Sequence, residues 1–243
     1  MKQILAATVL LAIILSSCVS APPLATATPE PTRPVETPTS PPQPTLPDPT
    51  ATIENPTTAP PDPAGKVVFK IAPGESEVQY EVGETFLNQN NRFAVAIGVT
   101  GQINGEIFAD LANPPASTIG PISVDISQFK SDSSRRDNAI RQRFLESERY
   151  PIATFIPTEI EGLPASYQEG QDYTFRVTGD LTVRQVTLPV AFDIAARLQD
   201  NTLSGTATTN ILMSDFGVGP ISLAGILQTE DLVKLTFRFV ARP

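Results

Sequence analysis

The sequence predicts an all-β domain of about eight to ten antiparallel strands, closed as a barrel or sandwich, with one short helix. Three observations carry that expectation. Apolar and polar residues alternate in two runs, from Tyr173 to Arg184 and from Leu188 to Leu198, the period of strands with one buried face. Only one segment has helical spacing. The chain has 25 Pro in 243 residues, roughly twice the usual share. Of these, 15 fall between residues 19 and 65, which confines the packed part to residues 66–243.

The elements follow in chain order. Lys2 precedes an apolar run from Ile4 to Leu15 that is too short to span a bilayer, which needs about 20 residues. It ends in Leu15-Ser16-Ser17-Cys18, so residues 1–18 read as an export signal. They resemble a bacterial lipobox, in which small residues precede an acylated Cys. The expectation is an exported protein held on the extracytoplasmic side of a cell membrane through Cys18. Residues 19–65 contain ten Thr and no aromatic residue. They are expected to form an extended, polyproline-rich tether, because such a stretch builds neither a core nor a hydrogen-bond ladder.

Strands are expected over 67–71, 78–86, 93–99, 103–108, 118–126, 152–161, 173–184, 188–198, 202–213 and 233–239. Phe175, Val177 and Leu181 share one face of their run. The parity inverts after Arg184–Val186, so that Leu188, Val190, Phe192 and Ile194 share a face of the next, as expected of a hairpin. Ser133 and Ser134 are candidate caps for a helix over Arg135–Leu145, with Ile140 and Phe144 on one side and Pro151 forbidding extension.

Composition excludes several chemistries. There is no His, so neither a Ser-His-Asp site nor an imidazole-ligated metal is available. The lone Cys rules out an internal disulfide. A net charge of −9 argues against nucleic acid as a partner, since phosphate binding needs a basic face. No cofactor is implied.

Two polar constellations remain. Arg135, Arg136, Arg141, Arg143 and Arg149 cluster in and after the helix, either as a clamp for an anionic head group or as a solvated face with local pairs. Asp125, Asp132, Asp137, Glu146 and Asp215 would be needed for a carboxylate-based hydrolase, but no spacing marks two of them as partners. The apolar strand faces are either a filled core or the wall of a ligand lumen, and periodicity does not separate the two.

A resemblance sharpens this reading. Arg136-Asp137, Ile140-Arg141, Phe144-Leu145, Tyr150-Pro151 and Thr154-Phe155 resemble the signature of the YceI-like family. Gly179-Asp180-Leu181-Thr182-Val183 with Val186-Thr187-Leu188-Pro189-Val190 is similar to its central hairpin, and Ser214-Asp215-Phe216-Gly217 to its Asp-Phe-Gly turn. The blocks occur in the family's order, and the likeness covers residues 70 to 241. Where the family has a His-Ser pair, this chain has Glu75-Ser76.

The resemblance implies a lipocalin-like antiparallel barrel of about eight strands whose lumen holds a polyisoprenoid or quinone-type lipid, in a protein that is not an enzyme. Lumen positions are then expected at Val95, Ile97, Phe155, Phe175, Val177, Leu181, Val190, Phe192, Ile194, Leu235, Phe237 and Phe239. Arg136 and Arg141 would face a head group. A ligand-free barrel serving as an adhesion or stress-response module is the rival reading, and pairing into a homodimer is left open.

Overall fold

The computed structural model describes residues 65–243, so the signal and the tether lie outside the described residues. The elements are β1 (Val67–Ile71), β2 (Glu77–Phe86), β3 (Arg92–Thr100), β4 (Ile103–Asn104), β5 (Glu106–Ala109), β6 (Thr118–Ile119), β7 (Ile122–Asp125), α1 (Ser134–Ala139), β8 (Ile152–Glu161), β9 (Asp172–Val183), β10 (Val186–Gln199), β11 (Thr202–Leu212), β12 (Ser222–Leu223) and β13 (Leu227–Arg242). The thirteen strands make one sheet, and every pairing is antiparallel.

The all-β expectation holds, with more strands than expected: two runs break where the chain changes partner, and the short β12, which pairs with β13, lies outside every expected run. The run 103–108 breaks at Gly105: β4 pairs with β7, and β5 pairs with β1. A Cβ on Gly105 would stand 2.3 Å from Ile122 Cδ1, so the absence of a side chain there gives Ile122 room to pack at the corner. The run 118–126 breaks at Gly120-Pro121, where Pro121 has no N–H for the ladder; β6 stays on β5 while β7 joins β8.

Neighbouring strands run β4-β7-β8-β9-β10-β11-β13. The long β13 then borders two branches, β2-β3 and β1-β5-β6. Since β4 follows β3 directly in sequence, the sheet curls back on itself, and Val99 bridges to Lys130 at the seam.

The β9–β10 hairpin is the backbone of the curl. It pairs continuously from Val183↔Val186 to Asp172↔Arg197. Its two-residue connection holds Arg184 at φ 58, a left-handed conformation that hairpin turns require. Cross-strand ion pairs Arg176–Asp193 and Arg197–Asp172 lie on the outer face, as the polar parity predicts. On the inner face, β8 approaches Gly179 so closely that a Cβ would sit 2.5 Å from the Ile156 carbonyl oxygen. The β8–β9 register shifts between Pro157 and Glu159, where proline cannot donate to the ladder.

Glu75-Ser76 has a structural role. Ser76 Oγ donates to Val240 O at 3.1 Å and accepts from Val240 N at 3.0 Å, while Glu75 receives Arg242 in a bidentate pair.

The expected helix is shorter and composite. Ser133 caps α1 by accepting from the Arg136 amide. After Ala139 the chain widens into a π-helical turn over Ile140–Phe144, closed by Leu145 N donating to Ile140 O at 2.8 Å.

Candidate functional site

The inner faces of the sheet enclose one elongated apolar cavity of about 360 Å³. Its wall follows β9 from Tyr173 through Phe175, Val177 and Leu181 to Val183. Ten residues of strand at roughly 3.3 Å each make the lumen on the order of 30 Å long. It is therefore a narrow channel. Aromatic edges shape its wall: Phe155 stands 5.0 Å from Phe192 and Tyr80 5.1 Å from Phe129, both edge-on, and Phe237 lies tilted 5.4 Å from Phe239.

The expected lumen positions divide clearly. Phe155, Phe175, Val177, Leu181, Phe192, Ile194, Leu235, Phe237 and Phe239 all line the channel. Val190 has the same parity but lies outside it, in a shallow depression with Leu188 and Phe216. Val95 and Ile97 point outward, 51% and 44% exposed. The reason is that β3 turns its small residues inward: Ala96 is buried, and a Cβ on Gly98 would collide with the Tyr80 ring. Period-two alternation shows that a strand has two faces and leaves open which one meets the core.

The channel's ends come from segments without periodicity. One end is formed by Asp110, Leu111 and Pro114 with Leu163, Pro164 and Tyr167. The other is formed by Ile140, Phe144 and Leu145 of the helical segment, with Phe216 and Val218.

Polar groups at the wall are turned to other work. Asp110 accepts from the amides of Ala112 and Asn113 at 3.1 and 2.8 Å, and Tyr167 Oη donates to Leu198 O at 3.2 Å. Burial pushes the Tyr80 phenol up to about 12; Arg136 opposes the shift, and Asp137, Glu84 and Asp132 add to it. Tyr80 is thus uncharged at neutral pH.

The arginines expected at a head group are structural ties. Arg136 grips Glu84 in a fork, Nε to Oε1 at 3.1 Å and Nη2 to Oε2 at 2.9 Å, and also donates to Ser131 Oγ and Asp132. Burial works against the Arg136 cation, but the hydrogen bonds it donates to Glu84 and Asp132 outweigh it and hold the group above the usual arginine range. Arg141 donates to the carbonyls of Ser127 and Phe129 and to Asn138 Oδ1. Neither residue lines the channel.

Sequence reading missed a third tie, Arg184. From the hairpin tip it donates to Phe144 O and Gly217 O, and pairs with Glu146. Gln185 beside it donates to Tyr150 Oη. The Tyr-Pro turn, the hairpin and the Asp-Phe-Gly turn, far apart in sequence, therefore meet at one end of the channel.

The candidate hydrolase carboxylates are dispersed. Asp125 accepts from Ser127, Asp137 from Ser131, while Asp132 and Glu146 hold arginines. None of these four, nor Asp215, reaches the channel.

Comparison with known proteins places this architecture. Residues 69–241 match the YceI-like domain. A UPF0312 protein of Pseudomonas putida is 32% identical over 143 residues, covering 56% of this chain and 69% of that protein. A UPF0312 protein of Shewanella putrefaciens is 28% identical over 149 residues, covering 57% and 74%. Among solved structures, Burkholderia cenocepacia BcnA superposes with a TM-score of 0.54 at 19% identity, covering 70% of this chain and 98% of that one. A polyisoprenoid binding domain from Saccharophagus degradans, implicated in plant cell wall breakdown, gives 0.54 at 13% identity, covering 72% and 97%. With the family's match spanning nearly the whole described domain, and its motifs gathered at one end of an apolar barrel, the chain belongs to the YceI-like family.

Proposed function

We propose that this protein binds a polyisoprenoid or isoprenoid-quinone-type lipid in its channel, to carry, store or shield it, while held at the bacterial envelope by an acylated Cys18. The observation that carries the reading is the channel's form: on the order of 30 Å long, narrow, and walled by side chains such as Phe175, Val177, Leu181, Phe192 and Phe237. A compact ligand would leave most of that length empty, whereas a linear hydrocarbon fills it. Apolar burial supplies the affinity. At about 0.8 kcal/mol per buried methylene, each isoprene unit gains on the order of 3–4 kcal/mol before costs. Two or three units offset the loss of translational and rotational freedom, about 4–15 kcal/mol. The polyisoprenoid-binding domain that shares this fold supports the choice of ligand class.

The test is the full chain, purified and extracted into organic solvent for mass spectrometry. A stoichiometric isoprenoid is expected. Phe175→Glu and Phe237→Glu each place a carboxylate in the channel wall and should remove it. An empty extract from folded protein that also refuses added quinone would sink the proposal and favour a ligand-free surface module.

A further inference from the structure

The barrel wall is split on one side. β10 and β11 pair from Gln199↔Thr202 only as far as Asp193↔Thr208. Beyond that point β10 is paired with β9 alone back to Val186, and β11 with β13 alone on to Leu212. Continued in register, the ladder would set Ala191 against Asn210 and Pro189 against Leu212.

Pro189 explains why the ladder stops. Backbone groups of an antiparallel strand point alternately to its two neighbours. The two-residue connection Asp200-Asn201 is closed by Gln199↔Thr202, a hydrogen-bonded pair in such hairpins, so the odd-numbered residues of β10 aim at β11. Pro189 is one of them. It has no N–H to give Leu212, and its ring stands where that bond would lie.

The split opens toward the channel. Ile211 and Phe216 line both the channel and the depression between the parted strands, so their side chains separate the two. Phe216 is 3% exposed and ends the Ser214–Phe216 turn, just before Gly217 at φ 64. The rim outside is apolar: Leu212 and Leu232, paired across β11 and β13, are 39% and 50% exposed.

We propose that this split is the portal through which a lipid tail enters and leaves the channel, with Phe216 as its stopper. The portal rests on the lipid binding proposed above. Either end of the channel is a costlier route. Opening the helical end must break the Arg184 hydrogen bonds to Phe144 O and Gly217 O and its pair with Glu146. Opening the other must free Tyr167 from Leu198 O and Gln168 from Tyr173 Oη. At the split the ladder has already ended, and the swing of one buried ring joins cleft to channel. A stopper slows passage in both directions and leaves the equilibrium alone. A wall residue that merely holds the tail changes how fast it leaves.

The test follows ubiquinone passing between the full chain and phosphatidylcholine vesicles, with the two separated and extracted at intervals. Phe216→Ala is expected to speed loading and release alike, each by at least about tenfold. Pro189→Val returns the missing donor at an exposed position and should slow both, with the amount bound at equilibrium and the near-UV spectrum unchanged. Faster release from Phe216→Ala without faster loading would make Phe216 a wall residue and overturns the portal. Pro189→Val exchanging at the wild-type rate overturns it as well, with lipid binding left standing. A folded wild type that takes up no ubiquinone and yields no isoprenoid removes the lipid-binding reading itself, and the portal with it.

Discussion

Replacing Arg136 with Met isolates the tie between the helical segment and the barrel. In the native protein Glu84 is 3% exposed and receives two charge-assisted hydrogen bonds from the Arg136 guanidinium, 3.1 and 2.9 Å long. Hydrogen bonds to charged groups contribute about 1.5–3 kcal/mol each, so the pair is worth about 3–6 kcal/mol. Stripping one member from a buried pair costs about 3–5 kcal/mol, because the other charge is stranded. Arg136→Met is therefore expected to lower the unfolding free energy by about 3–5 kcal/mol. Glu84→Met should cost less, about 1–3 kcal/mol, since Arg136 keeps Ser131 and Asp132 as acceptors. The double variant strands no charge and should be more stable than Arg136→Met alone. Urea denaturation of the four proteins reads the cycle directly. A cost below about 1 kcal/mol for Arg136→Met, the range of an exposed ion pair, would refute the reasoning. So would strict additivity in the double variant, and either result would free Arg136 for a head group after all.

Two further outcomes follow from the same geometry. The Tyr80 phenol is held at about 12 by burial, above its ordinary value. The stability linked to it is therefore complete below about pH 10 and is lost as pH rises through the folded value, by about 2–3 kcal/mol at most. Tyr80→Phe should flatten the wild-type decline between those limits in alkaline denaturation, and parallel curves would dismiss the assignment. Gly179→Ala places a methyl group 2.5 Å from the Ile156 carbonyl oxygen and 2.7 Å from the Phe155 ring. It should cost about 1–3 kcal/mol in thermal or urea unfolding, and an unchanged midpoint would show that β8 yields more readily than its bulge implies.

Much of the barrel was legible because its long strands obey one rule. Phe175, Val177 and Leu181, and across the turn Phe192 and Ile194, alternate with polar partners, and the structure turns that parity into the channel wall. β3 alternates as well, but what decides its inner face is the Tyr80 ring against Gly98, a contact with another strand. The helix arginines illustrate a related limit. The carboxylate that holds Arg136 comes from β2, 52 residues earlier, so the local charge pattern contains no sign of it. The channel ends at Asp110–Pro114 and Leu163–Tyr167 have no period to read. Arg184 is equally silent in sequence, since its acceptors include the backbone carbonyls of Phe144 and Gly217.

The channel also bears on how this protein persists. Empty apolar space in a protein forfeits about 24 cal/mol per Å³ of cohesion. Over a void of about 360 Å³ that is on the order of 9 kcal/mol. A typical domain's whole stability is about 5–15 kcal/mol. A hydrocarbon bound along this apolar wall, as proposed, would cover it and stabilise the fold by mass action. Melting temperature, resistance to proteolysis and steady-state abundance would then all rise with the supply of that hydrocarbon. Under the proposed lipid binding, the amount of folded protein would track the supply of that ligand.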